Sequence, residues 1–171
     1  MALPSFTLRI AEDASDRKLL ADVAQHGWHV VHIFADDQGP GYSFTVGLYL
    51  SWNHPELLIM GLPQDQLYAI LAEAVRAIQQ GQTFAHGSAS DALVQSDCCR
   101  FAGIRVARSQ DFLGYGIWFY QSLREPFPAL QILWPDKAGR FPGDRGYDVR
   151  YYELQEVLWS GAQPARPDNA G

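Results

Sequence analysis

Cysteine is nearly absent from this 171-residue chain: Cys98 and Cys99 are the only two, and they are adjacent. Neighbouring cysteines cannot staple distant segments, so a disulfide framework is excluded and a reducing, cytoplasmic setting is expected. Long hydrophobic runs are missing as well. No apolar stretch approaches the roughly 20 residues needed to cross a bilayer. The opening "MALPSFTLRIAED" lacks the basic leader and apolar core of a signal peptide. Positive charge is scarce, with 13 Lys and Arg against 19 Asp and Glu, a formal net charge of −6 and no basic cluster. Such a surface repels nucleic acid and anionic lipid, so neither is an expected partner. Also missing are the glycine-rich phosphate loops of Rossmann and P-loop proteins, Gly-x-Ser-x-Gly, His-Glu-x-x-His and Cys-x-x-Cys.

What is present is material for a core. Hydrophobic residues make up 47% and charged residues 19% of the chain, the balance of a folded domain. The length suits one core, so a single globular domain is expected over residues 1–159, with 160–171, "SGAQPARPDNAG", as a disordered tail. Ser15 is read as an N-cap, Leu19, Leu20 and Val23 as a helical stripe, and Gly27 as its left-handed end. "WHVVHIF" (28–34) reads as a strand, "DDQGPG" as a turn and residues 42–49 as a second strand. In that strand Tyr42, Phe44, Val46 and Leu48 face one way, and Ser43, Thr45 and Gly47 the other. "ELLIMG" is a third strand, apolar on both faces.

Residues 64–80 form the strongest helical pattern, with Leu67, Ile70, Leu71, Ala74, Val75 and Ile78 on one stripe, Pro63 at its start and Gly81 at its end. "CCRFAGIRVA" (98–107) and "PALQILW" (128–134) read as strands, whereas residues 112–121 suit helix or strand equally. The order of elements implies an α+β domain, a mostly antiparallel sheet or partly open barrel with two to three packed helices.

Two signatures carry a family likeness. "GYSFTVGLYLSWNHPELLIMGLP" and the later "LQILWPDKAGRFPG", together with "GWHVVHIF", resemble the bacterial DUF4262 family, a domain of unknown function, over about residues 27–148. That resemblance implies a family and no activity. A looser similarity of layout links the chain to flavin-binding split barrels, and layout alone says little about function.

Each candidate for chemistry has two readings. His54 and Glu56 flank Pro55; they form an acid/base pair with its orienting carboxylate, or simply a corner between strands. The small face of Ser43, Thr45 and Gly47 admits a flat ligand or another backbone. In "WPDKAGRFPG", Arg140 either grips an anion beside Trp134 and Phe141 or braces the loop through Asp136. His29 and His32, three apart in a strand, face opposite sides, and no metal site is expected from them or from His26. Cys98 and Cys99 read as buried apolar groups.

Three functions follow in order. The first is a small-ligand-binding domain, for a flavin or another nucleotide-like aromatic, lined by Ser43, Thr45, Gly47, Trp134, Arg140 and Phe141, with His54 at its rim. The second is a protein-interaction module of accessory or immunity type, meeting a basic partner. The third is an enzyme using His54 as general base.

Overall fold

The structure, a computed structural model, describes residues 3–91, 93 and 99–159. Strands β1 (His29–Ile33), β2 (Tyr42–Val46) and β3 (Glu56–Met60) are antiparallel neighbours. Strands β4 (Ala89–Ser90), β5 (Cys99–Gly103) and β6 (Ala129–Leu133) form a second antiparallel set. The two sets join where β3 and β6 run parallel, giving one six-stranded sheet in the order β1-β2-β3-β6-β5-β4. The sheet is open and mixed, and the fold is a single α+β domain. The mostly antiparallel expectation holds; the barrel alternative does not.

Strand composition explains this order. Every residue of β3 and β6 is buried, as central strands covered on both faces must be. The one polar side chain in β6, Gln131, is satisfied in place: its amide donates to Glu156 O at 2.6 Å and accepts from Leu158 N at 2.8 Å. Gln155 treats the backbone of Trp134 the same way, through bonds of 2.6 and 3.2 Å. These two buried amides hold the chain after residue 154 against β6 and remove the cost of burying peptide groups there.

Alternation sorts the core into two layers. Leu57 and Ile59 of β3 and Leu130 and Ile132 of β6 pack under helix α3 (Gln64–Gln79). Leu58 and Met60 face the other way, with Phe44 and Val46 of β2, against helix α1 (Ala14–His26) and the pair α4 (Val106–Phe112) and α5 (Gly114–Phe119). The α3 stripe is as read from its spacing: Leu67, Ile70, Leu71, Ala74, Val75 and Ile78 are all buried.

The boundaries carry corrections. Asp13, not Ser15, caps α1, its carboxylate accepting from Asp16 N at 2.9 Å, while Gly27 ends the helix at φ 85° as expected. Pro63 is the N-cap of α3 rather than its first helical residue. The strand expected over 42–49 stops at Val46, because Gly47 turns at φ 112° into a short helix, α2 (Leu48–Trp52). A Cβ on Gly47 would stand 2.7 Å from Gly27 O, so only glycine fits both the turn and the contact. The strand expected over 98–107 ends at Gly103 and gives way to α4, and the ambiguous 112–121 stretch is largely α5. Gly116 lies inside α5 because the Phe127 ring presses there, 2.8 Å from where a Cβ would be. With α2, α4 and α5 there are five α-helices among the described residues, against the two to three expected. The expected tail at 160–171 and Cys98 lie outside the described residues; Cys99 is buried.

Leu71, fully buried under the sheet, sets a test of the α3 face. Leu71→Ala is expected to cost about 2–5 kcal/mol through the cavity it leaves. Arg76→Ala, on the exposed side beside Glu73, should change stability by no more than about 0.5 kcal/mol. Urea denaturation of both variants measures the contrast.

Candidate functional site

Glu56 opens β3 and is completely buried, in the fork where β2 and β3 diverge. The ladder between them ends at Phe44 and Leu58, and side chains take over beyond it. Thr45 Oγ1 donates to Glu56 Oε2 at 2.6 Å and accepts from Leu57 N at 2.9 Å. Glu56 Oε1 accepts from Gly47 N at 2.9 Å, from Tyr49 N at 3.1 Å and from the Tyr120 hydroxyl. Two of these donors are backbone groups at the start of α2, so Glu56 caps that helix from a different strand. Burial pushes the Glu56 carboxyl above its ordinary range, against the pull of its four donors. Burial and the neighbouring Glu56 also raise the Tyr120 hydroxyl, which remains a donor.

His54 is 2% exposed and has both nitrogens engaged. Nδ1 donates to Pro55 O at 2.8 Å, which leaves Nε2 as the acceptor for Phe84 N at 2.9 Å. Protonation would set two donors face to face, and burial holds the imidazole below its ordinary value despite the bond to Pro55. The His-Pro-Glu segment is thus a corner with two anchors: His54 fastens the loop after α3, and Glu56 fastens α2. They do not form an acid/base pair with each other among the contacts observed.

The two strand histidines lie on opposite faces, as their spacing requires. His29 Nδ1 is 2.7 Å from Asp22 Oδ2 of α1, whereas His32 Nδ1 meets Ser43 Oγ at 2.6 Å on the α3 side. Burial, then the proximity of His29, lowers the His32 pKa. His26 is exposed at the end of α1. Among the described residues no group of three or more His, Cys, Asp or Glu is placed to hold a metal ion.

The second signature builds a loop around Asp136. Its carboxylate accepts from the backbone N–H groups of Ala138, Arg140 and Asp148 at 2.9, 2.9 and 3.0 Å, and from Arg140 Nε at 3.2 Å. Burial raises its pKa, but these donors outweigh that and hold it below the ordinary carboxylate range. Arg140 braces the loop and leaves its remaining surface to solvent. Phe141 packs with Ala102, Leu133 and Val157 under the Arg100 guanidinium, while Trp134 lies in the α3 layer and donates from Nε1 to Met60 O at 2.8 Å. Thr45, Gly47 and Glu56 therefore converge in one buried knot, with Ser43 on the same strand. Arg140, Trp134 and Phe141 are held at separate contacts, and the structure records none between Thr45 and Arg140.

An open recess lies elsewhere, between the β1–β2 hairpin and α4–α5. It has a volume of about 410 Å³ and is walled by Tyr42, Phe44, Phe112, Tyr115 and Trp118, with Asp16 from α1. Tyr42 fixes one wall: its hydroxyl donates to Phe112 O at 3.0 Å, and the two rings meet edge to face at 5.3 Å. A second recess of about 280 Å³ continues from it, sharing Ile33, Tyr42, Asp111 and Phe112. None of Ser43, Thr45, Gly47, Trp134, Arg140 or Phe141 lines either recess. Sequence reasoning missed this place because residues 112–121 could not be assigned. The available signal was the aromatic density of "FLGYGIWFY" opposite Tyr42.

The fold is an α+β domain in which side chains of both signatures hydrogen-bond one element to another. The chain belongs to the family described as Domain of unknown function (DUF4262), which it matches over residues 22–148. No curated protein and no solved structure matches it significantly.

Glu56 and His54 yield two tests. Glu56→Ala strands four donors, each costing about 1–3 kcal/mol when buried without an acceptor. Glu56→Gln keeps an acceptor for the α2 backbone and can donate to Thr45 Oγ1, so it is expected to lose less than half as much in urea denaturation. For His54 the folded pKa lies below the ordinary 6.5, so its contribution is complete above that value and is lost as pH falls through the folded pKa. His32 acts with the same sign, and the raised Glu56 carboxyl with the opposite sign, losing stability as pH rises above 4.5. The difference between the unaltered protein and His54→Gln isolates the His54 share. That difference should shrink on acidification from pH ~8 to ~5; a difference that grows is the contrary result.

Proposed function

We propose that this domain binds a small, flat, largely apolar ligand in the recess between the β1–β2 hairpin and α4–α5. One observation supports it most: five aromatic residues, two from β2 and three from α4 and α5, line a volume of about 410 Å³, the size of a small-molecule site. Thr45, His54, Glu56 and Asp136 of the two signatures are engaged in hydrogen bonds inside the fold, which leaves them few atoms for a ligand. A flavin or nucleotide-like ring fits the expectation of a flat ligand, and its base or isoalloxazine would lie against the rings rather than at Arg140. We take the setting to be the cytoplasm of a bacterium, in keeping with the scarcity of cysteine and the family likeness; no helix among the described residues is long and apolar enough to cross a membrane.

The interaction-module reading has one observation in its favour. Ile33, 37% exposed, ends β1 at the free edge of the sheet and lines the recess, and Phe34, 75% exposed, follows it and lines the adjoining one. A protein partner there would cover the recess mouth.

Binding is tested with indole, adenosine and riboflavin by amide chemical-shift mapping. Shifts are expected at Tyr42, Phe112, Tyr115 and Trp118, and Tyr115→Ala or Trp118→Ala should weaken binding about tenfold or more with the fold intact. Arg140→Ala should leave affinity unchanged. Shifts centred on Thr45 and Arg140, with binding abolished by Arg140→Ala, would move the site to the second signature and overturn the proposal.

A further inference from the structure

The charge of the recess is one-sided. Its lining holds Asp16 and Asp111, and the adjoining recess adds Asp36 and Glu156; no Lys, Arg or His lines either of them. Arg108 offsets part of this charge from behind the wall, pairing with Asp111 at 3.7 Å and standing 5.4 Å from the Phe112 ring centre. Lys18 pairs with Asp22 at 2.9 Å, and Arg108 pairs with Glu156 at 2.7 Å. Arg9 stands 5.4 Å from the Trp118 ring centre without lining the recess.

Asp16 is the informative member. It is 7% exposed, yet lines the recess. Oδ2 accepts from Glu12 N at 2.9 Å, the backward reach of a helix-start carboxylate. Oδ1 has no hydrogen-bond or ion partner among the described residues. The outcome is a nearly buried carboxylate at the N-terminal end of a helix, with one oxygen spare, beside the faces and edges of aromatic rings. Aromatic faces attract cations, and a carboxylate in a partly dry site does so more strongly.

We infer that the recess selects a small organic cation, an ammonium group carried on an apolar body, with Asp16 as its counter-charge and Tyr42, Phe112, Tyr115 and Trp118 as its walls. This inference rests on the ligand-binding reading above and adds the charge of the ligand. Asp16 makes the electrostatic contact, and the rings take the apolar body and the alkyl groups around the nitrogen.

Three probes of one shape and different charge test it: benzyltrimethylammonium, benzyl alcohol and benzenesulfonate, each titrated by amide chemical shifts. The ammonium is expected to bind about tenfold or more tightly than the alcohol, with the sulfonate weakest. Asp16→Asn keeps an oxygen for Glu12 N; it should lower ammonium affinity about tenfold and leave the alcohol unchanged. Alcohol and ammonium binding equally in the recess would overturn the cation inference while leaving the ligand site standing. Binding of none of the three there would remove both. If Asp16→Asn does not fold, the order of the three probes on the unaltered protein still decides.

Discussion

The structure turns on a carboxylate with nowhere to go. Glu56 sits fully buried at the fork of β2 and β3, and four donors from three different segments converge on it. Backbone hydrogen bonds cannot join β2 to β3 past Phe44, because Gly47 must turn the chain into α2 there. The carboxylate replaces the missing ladder, capping α2 and reaching across to Tyr120 at the end of α5. A buried acid is costly, and its cost is met only if every donor arrives in place. Thr45, Gly47, Tyr49 and Tyr120 are thus positioned by one requirement.

That explains why part of the architecture was legible in the sequence and part was not. The α3 stripe, the doubly apolar β3 and the opposed faces of Ser43/Thr45 and Phe44/Val46 each follow from a side-chain period. A period of 3.6 or 2 can be read without knowing the partner. The turn at Gly47 could not be read this way. Nothing in "TVGLYLSW" distinguishes continued strand from helix until Gly27 is known to lie against Gly47. The same holds for α5, whose Gly116 weakens a helix locally and is required by Phe127 at a distance. Contacts between distant segments decide these cases, and local propensity yields to them.

The candidate site divided along the same line. The contacts observed match one of the two readings open for each motif: a corner for His54 and Glu56, and a loop brace for Asp136 and Arg140. Their hydrogen bonds are spent inside the fold. His54 has no spare nitrogen, Thr45 uses its hydroxyl both ways, and Asp136 accepts four donors.

The joints still bear on the recess, because they set its walls. Tyr115 and Trp118 ride on α5, whose C-cap is Tyr120, and Tyr120 is fixed by Glu56. Tyr42, on β2, holds the carbonyl of Phe112 at the end of α4. One tyrosine hydroxyl thus ties α5 to the buried acid, and another ties α4 to the sheet. A helix of 6 residues is marginal alone, and its orientation comes from such tertiary anchors. The aromatic walls are accordingly as rigid as the knot behind them, although no residue of the knot but Tyr120 belongs to those helices. A preformed wall loses little freedom when a ligand arrives, which is the condition for a small recess to bind with useful affinity. Burying Glu56 and shaping the recess are two effects of the same constraint.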